Sequence, residues 1–190
     1  SQELVFEKLR QTIESILDEI KPNWCEAMEK GEERPAEISE IIDELGARIM
    51  SGINSAAAVT PISLLSTVLL STPKQSIREL ELIQQLRMSL KLLEKFEYSD
   101  SVTLPGWSPE QIILHGLKLG VIDRTAHQLG DILHMPKYEA VRMTYFRNNI
   151  QHLFAIPGLI ACCFIQECHL KHIELQRLVG LIYPFMKETL

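Results

Sequence analysis

The sequence predicts a mainly α-helical fold, a helical bundle with one small β-hairpin at about residues 120–135. Apolar residues recur every three or four positions over most of the 190 residues, which is the period of one helix face. The chain has only nine glycines and nine prolines, and its 46% hydrophobic and 23% charged residues are typical of a globular protein. No internal repeat or linker divides it, so we expect a single helical domain over residues 1–190.

A proline break organises the first part of the chain. Apolar residues recur at helical spacing over residues 4–20 and 38–53, which predicts two amphipathic helices. Residues 49–73 carry no charged side chain and are long enough to suggest a membrane span. Thr60-Pro61 interrupts this stretch, because threonine suits a helix N-cap and proline suits the first helical position. We expect two buried helical pieces that meet at this break, and no membrane-spanning helix.

Capping signals predict the next two helices. Ser76 with Glu79, and Ser108 with Gln111, have the spacing of a capping box, in which each side chain bonds to the backbone of the other residue. The first box predicts a helix that runs to about residue 97. The second predicts a short helix that runs to about residue 118.

Two short segments after residue 120 predict the hairpin. VID and GDILHMP are rich in branched apolar residues and flank a polar turn. With the helix before it, this hairpin also outlines a winged-helix unit, which reads DNA in other proteins. Its cations are only Lys118 and Arg124, and the whole chain has a net charge of −6. Because nucleic-acid binding depends on clustered lysine and arginine, we expect no nucleic-acid partner.

The last part of the chain is predicted to form two helices, at residues 138–166 and 172–189. The first of them contains a cluster of polar side chains. This helix is expected to be buried and kinked at Pro157.

Tyr145, Asn148, Asn149 and His152 lie three or four positions apart and share a helix face. We interpret them as a structural polar network, since a buried polar group left unpaired costs about 1–3 kcal/mol. The alternative is a substrate-binding patch in which Arg147 meets a phosphate or carboxylate, although no glycine-rich turn accompanies it.

The cysteines do not predict a metal or nucleophile site. The four cysteines have no spacing typical of a secreted domain, which favours reduced cytosolic thiols. Cys163, Cys168 and His172 could line one helix face as zinc ligands, but no fourth ligand is evident, and a cysteine on an apolar face is usually a small buried hydrophobe. A Cys-His nucleophile pair lacks a residue to orient the imidazole. We expect no metal, no cofactor and no catalytic residue in this chain.

Several long stretches carry a resemblance to a known family. They are TYFRNNIQHLFAIPGLIA, INSAAAVTPISLLSTVLLST at residues 53–72, GDILHMP and LIYPFMKETL, with LDEIKPNWCEAME and RPAEISEIIDELGARIM upstream. In this order they resemble the bacterial membrane-bound glycerol-3-phosphate acyltransferases. The resemblance covers about residues 17–190, and residues 1–16 lie outside it.

The resemblance implies that the parent enzyme passes a fatty acyl group from acyl carrier protein or coenzyme A to glycerol 3-phosphate. The product is lysophosphatidate, in the first step of phospholipid synthesis. The family uses a histidine followed five positions later by aspartate, the first as general base and the second to orient it. None of the six histidines here has an aspartate at that position. The chain is therefore interpreted as the non-catalytic region C-terminal to the catalytic domain, inactive by itself.

The resemblance also implies partners and a location. They are the enzyme's own upstream catalytic domain, the acyl carrier protein or acyl-coenzyme A donor, and the membrane surface. The implied location is the cytoplasmic side of the bacterial inner membrane, as a peripheral protein. The alternative is a stand-alone helical adaptor that binds a partner through an exposed apolar groove.

Overall fold

The computed structural model describes residues 10–11, 13–19, 22, 38–165 and 169–187, and these residues are mainly helical, as predicted. The chain forms two compact units, residues 1–53 and 54–190, where the sequence predicts one helical domain.

In the first unit, residues 10–11 and 13–19 are helical, which confirms the predicted first helix for these positions. The rest of the predicted range, 4–20, lies outside the described residues. Helix α1, Ile38–Ser55, confirms the second predicted helix. The guanidinium group of Arg48 on α1 pairs with the carboxylates of Glu19 and Glu44, each at 2.9 Å.

Helix α2, Pro61–Ser71, lies at the centre of the second unit. The Thr60 hydroxyl accepts the backbone N–H of Ser63, and Pro61 occupies the first helical position, so the predicted break is confirmed. Seven of the eleven residues of α2 are buried. Residues 49–73 are predicted to be mostly buried, and this is wrong for residues 49–53. There Ile49, Met50 and Ile53 are exposed, because α1 ends at Ser55 and only the chain after it, from Ala57 and Val59 onward, enters the core.

No helix in the described ranges combines the length and the apolar character needed to cross a membrane.

After α2, a 3-10 turn at Pro73–Gln75 leads to strand β1, Ser76–Arg78, and helix α3, Glu79–Lys95. The capping box predicted for Ser76 and Glu79 is wrong. Ser76 instead pairs with His134 in a sheet, and α3 begins after Arg78, whose side chain does not cap the helix.

Helix α4, Pro109–Lys118, begins as predicted with a capping box between Ser108 and Gln111. Strands β2, Asp123–Thr125, and β3, Ile132–His134, form the predicted hairpin. Strand β3 also pairs antiparallel with β1, so the hairpin is extended to a three-stranded sheet in the order β1-β3-β2. The order of elements from α2 to β3 is helix, strand, helix, helix, strand, strand. Within this order, α4 followed by the hairpin of β2 and β3 is the part that the sequence outlines as a winged-helix unit.

The predicted helix over residues 138–166 is divided in two. A 3-10 turn at Lys137–Glu139 leads into α5, Ala140–Gln151. A second 3-10 turn, His152–Phe154, separates α5 from α6, Ala155–Cys163. The break precedes Pro157, because proline has no N–H to offer the carbonyl of Leu153 but fits the first turn of a new helix.

Burial in this segment is lower than predicted, since only Ala155 and Leu159 of α6 are buried. Helix α7, His172–Lys187, packs on α6 and confirms the last predicted helix within the described residues.

The core of the second unit joins α2, α3, α4, α5 and β3. Its largest fully buried apolar side chains are Leu64, Leu65, Leu69, Leu82, Leu86, Ile112, Ile113, Ile122, Leu133, Met143 and Ile150. Helix α5 packs on α2 more extensively than any other described element does. Helix α5, which carries most of the predicted polar network, therefore packs against α2, the most buried helix of the unit.

Candidate functional site

Helix α5 carries most of the residues that the sequence singles out, and its inner face fixes its position. Met143 and Ile150 on that face are fully buried. The Ser66 hydroxyl of α2 donates to the carbonyl of Ile62 at 2.7 Å and lies 3.2 Å from the sulfur of Met143. The buried hydroxyl therefore has a partner, and α5 is held against α2 by both apolar and polar contacts.

Arg147 bonds to its neighbour in the chain. Its Nε and Nη2 atoms donate to Oδ1 of Asn148 at 3.3 and 3.1 Å. Both bonds are exposed, so their net contribution to stability is small. Their consequence is geometric, because they restrict the directions in which the guanidinium group can point.

His152 makes a long-range polar contact to the beginning of the second unit. Its Nε2 atom lies 3.0 Å from the carbonyl oxygen of Asn54, so the tautomer with the proton on Nε2 donates there. The ring also meets that of Tyr98 edge-on, with centroids 5.0 Å apart. His152 thus joins the end of α5 to the beginning of the second unit and to the loop after α3. No local pattern in the sequence points to Asn54 or Tyr98 as its partners.

A shallow groove of about 280 Å³ lies beside this histidine. Its lining residues are Phe96, Glu97, Tyr98, His152, Leu153, Ile156 and Pro157. Ligand sites for small molecules usually enclose about 300–1,000 Å³, so this groove lies just below that range. It could take a short apolar group with a polar end near Glu97 or His152.

The remaining members of the predicted network face outward. Tyr145 is exposed, and its ring meets that of Phe146 edge-on at 5.9 Å. Asn148 and Asn149 are exposed as well. Within the described part of the chain, Tyr145, Asn148, Asn149 and His152 form no hydrogen bonds with one another. That they act as one network stays a prediction.

His152 should matter more for folding than Asn148. We expect His152→Ala to lower the free energy of unfolding by about 1 kcal/mol, since it removes the bond to Asn54. Asn148→Ala should change it by less than about 0.5 kcal/mol, because the side chain is exposed. Urea denaturation of both variants compares them. His152→Phe is the control, because it keeps an aromatic ring beside Tyr98 and removes the N–H. A larger loss for Asn148→Ala would restore the buried network as the better interpretation.

Two histidines have glutamate five positions later, His134 with Glu139 and His169 with Glu174. Glu174 accepts the backbone N–H of Lys171 at 3.2 Å. His134 Nε2 lies 3.7 Å from the Asp123 carboxylate across the sheet. Glu139 is buried, and its Oε2 lies 2.6 Å from Arg142 in an ion pair with poor hydrogen-bond alignment. The two side chains therefore have different neighbours and do not form a base with its orienting carboxylate.

The cysteine cluster considered for zinc is only partly described. Cys163 is half-buried and His172 is exposed, while Cys168 lies outside the described residues. The described ranges contain no group of three side chains placed to hold a metal ion.

The outer face of α4, the reading helix in DNA-binding winged-helix proteins, exposes Glu110, Gln111, Leu114 and Lys118. Trp107 and Leu114 are exposed, and the Trp107 ring meets that of His115 edge-on at 5.0 Å. Glu110 on the same helix lies 3.6 Å from Arg87. The Ser108 hydroxyl, by hydrogen bonding, holds the pKa of the Glu110 carboxyl below its usual range, so it is anionic near neutral pH. A face with an anionic carboxylate and a single lysine offers little to a phosphate backbone.

Comparison with known proteins gives one consistent result. The profile of the family described as the glycerol-3-phosphate acyltransferase C-terminal region matches residues 11–190. A curated protein named glycerol-3-phosphate acyltransferase from Xylella fastidiosa (strain M23) is 39% identical over 178 residues, which are 94% of this chain and 21% of that protein. Proteins of the same name from Xanthomonas campestris pv. campestris and Xanthomonas axonopodis pv. citri are 38% identical over 178 residues. The chain spans about a fifth of the length of these relatives.

Proposed function

Because the chain belongs to the family of the glycerol-3-phosphate acyltransferase C-terminal region, we propose that it is the non-catalytic helical scaffold of a larger glycerol-3-phosphate acyltransferase. The observation that carries this proposal is one of coverage. Nearly the whole chain aligns with its relatives named glycerol-3-phosphate acyltransferase, but the alignment covers only about a fifth of their length. The rest of such a protein has ample length for a separate catalytic domain.

The proposed parent enzyme transfers a fatty acyl group from acyl carrier protein or coenzyme A to glycerol 3-phosphate and forms lysophosphatidate. A hydroxyl group must lose its proton as it attacks the thioester, so the reaction needs a positioned general base. This chain has no histidine followed five positions later by aspartate, and His134 and Glu139 have separate partners. We assign the base and its carboxylate to the upstream domain.

Exposed apolar side chains support the proposal that this region is a scaffold whose surface is covered by another part of the parent protein. Ile42 and Met50 on α1, and Ile173 and Phe185 on α7, are large apolar side chains that face outward. Exposed apolar patches usually mark a site of interaction with protein or membrane, and each of the two units carries such side chains. The upstream catalytic domain is the partner that is always present, since it belongs to the same chain.

A peripheral position at the cytoplasmic side of the bacterial inner membrane fits the acyl product. Helix α7 exposes Ile173, Leu181 and Phe185 on one side, with the charged residues Glu174 and Arg177 between them. An amphipathic helix with such a face can lie in the interface between lipid head groups and acyl chains. We propose that α7 contributes to this contact, and that phospholipid synthesis is the pathway served.

The purified chain should have no acyltransferase activity. With labelled acyl donor and glycerol 3-phosphate, we expect product at the level of a boiled control, because the chain lacks the base and its orienting carboxylate. The full-length enzyme, assayed in parallel, is the positive control. Turnover by the isolated chain above the boiled control would assign the catalytic machinery to these residues and overturn the proposal.

A further inference from the structure

One side of α5 and of the turn before it exposes large side chains that carry apolar surface. Tyr138, Val141 and Tyr145 are 77%, 83% and 67% exposed, and with Asn148 they lie three or four positions apart on one side of the segment. We call these four residues the outer stripe. The opposite side of the same helix is buried against α2, so α5 has apolar residues on two faces. A helix with that pattern is usually covered on both.

The outer stripe has the composition of a protein interface. Tyrosine and arginine are enriched in such surfaces and in their energetically dominant residues. Arg142 flanks the stripe and is held by the buried Glu139 at 2.6 Å, and Arg147 is held by Asn148. Side chains that are already ordered lose less conformational entropy when a partner binds.

The charge around the stripe is the reverse of that of the chain. Residues 137–151 contain three cations, Lys137, Arg142 and Arg147, and one carboxylate, Glu139, which is buried. The chain as a whole has a net charge of −6. A partner surface with exposed aspartate or glutamate therefore fits this side of the molecule.

We propose that the outer stripe is the surface on which the upstream part of the same enzyme packs, through an acidic patch of that part. The inference rests on the proposed function. About four fifths of the length of the relatives lies outside this chain, and a covalently attached partner acts at high effective concentration.

Lipid is a weaker occupant, because a membrane-binding helix presents a broad apolar face. This stripe has one aliphatic residue beside tyrosine hydroxyls and an amide that need directional partners.

Photocrosslinking in the full-length enzyme tests the inference. The photoreactive residue p-benzoylphenylalanine replaces Tyr145, and a matched variant carries it at Leu129, which is 78% exposed on the turn between β2 and β3. After irradiation, the enzyme is cleaved at a site engineered upstream of residue 1. We expect the probe at position 145 to join the two fragments and mass spectrometry to map the link to an acidic upstream segment. The probe at position 129 should not join them.

A second variant tests the apolar contact. Val141→Glu places a charge in the proposed interface and should lower the crosslinked fraction from position 145 about tenfold. The melting temperature of the isolated chain with the same substitution should be unchanged, because Val141 is exposed in it.

A crosslink from position 145 to lipid or to a second copy of the enzyme would overturn the inference. So would the absence of a crosslink while the cleaved fragments still copurify, and in that case the scaffold proposal would stand. If the cleaved fragments separate, the scaffold proposal itself fails.

Discussion

Leu65→Ala and Gly116→Ala together should cost less stability than the sum of the two single changes. A Cβ atom added at Gly116 of α4 would lie 2.6 Å from Cδ1 of Leu65 and 3.1 Å from Cδ1 of Ile122. Leu65 is fully buried, so it has no open space into which it can turn. Crowding of this kind costs about 1–3 kcal/mol, which offsets the helix propensity that alanine gains over glycine.

Leu65→Ala alone should cost about 2–5 kcal/mol, since it leaves a cavity in the core. In that background the new methyl group of Gly116→Ala enters space vacated by Leu65 and meets only Ile122 closely, so the substitution should cost less than it does alone. We expect a coupling free energy of about 0.5–3 kcal/mol from urea unfolding of the four proteins. Gly46→Ala on α1 is the control, because a Cβ atom there meets nothing within 4 Å. Additive single and double changes would contradict the close approach of α2 and α4.

The two faces of α5 should respond oppositely to truncation. Met143→Ala should lower the free energy of unfolding of the isolated chain by about 2–5 kcal/mol, because its side chain is fully buried against α2. Val141→Ala, two positions away on the same helix, should be neutral or stabilising by up to about 0.7 kcal/mol, because alanine is the better helix former at an exposed site. Thermal and urea denaturation measure both. Loss of stability with Val141→Ala would mean that α5 is covered within the chain itself.

Helix starts fixed by local side-chain bonds could be predicted from the sequence. Thr60-Pro61 and Ser108-Pro109 each supply a cap and a first helical residue within a few positions, and α2 and α4 begin there. Ser76 has the same local pattern, but pairing with the distant strand β3 takes precedence. Strand β1 was therefore missed, because its hydrogen bonds depend on residues that no short window contains.

For the candidate site, the sequence predicted which residues share a helix face but not whether that face is buried. Spacing placed Tyr145, Asn148, Asn149 and His152 on one side of α5, but apolar residues occur on both sides, so periodicity could not tell which side is buried. The expected burial of the asparagines depended on that choice. The bond from His152 to Asn54 required the fold itself, since these residues meet only after α2 and α5 have packed.

The packing of α5 on α2 has a consequence for protein synthesis. The central helix α2 emerges from the ribosome well before Met143 and Ile150, which cover one of its sides. A nascent chain has to hold the side of α2 around Ser66 uncovered during that interval, when it is open to chaperones or to aggregation. A premature stop codon anywhere between α2 and α5 would make that exposure permanent. Such truncated products should be recognised by cellular proteases even though the residues upstream of this region are intact.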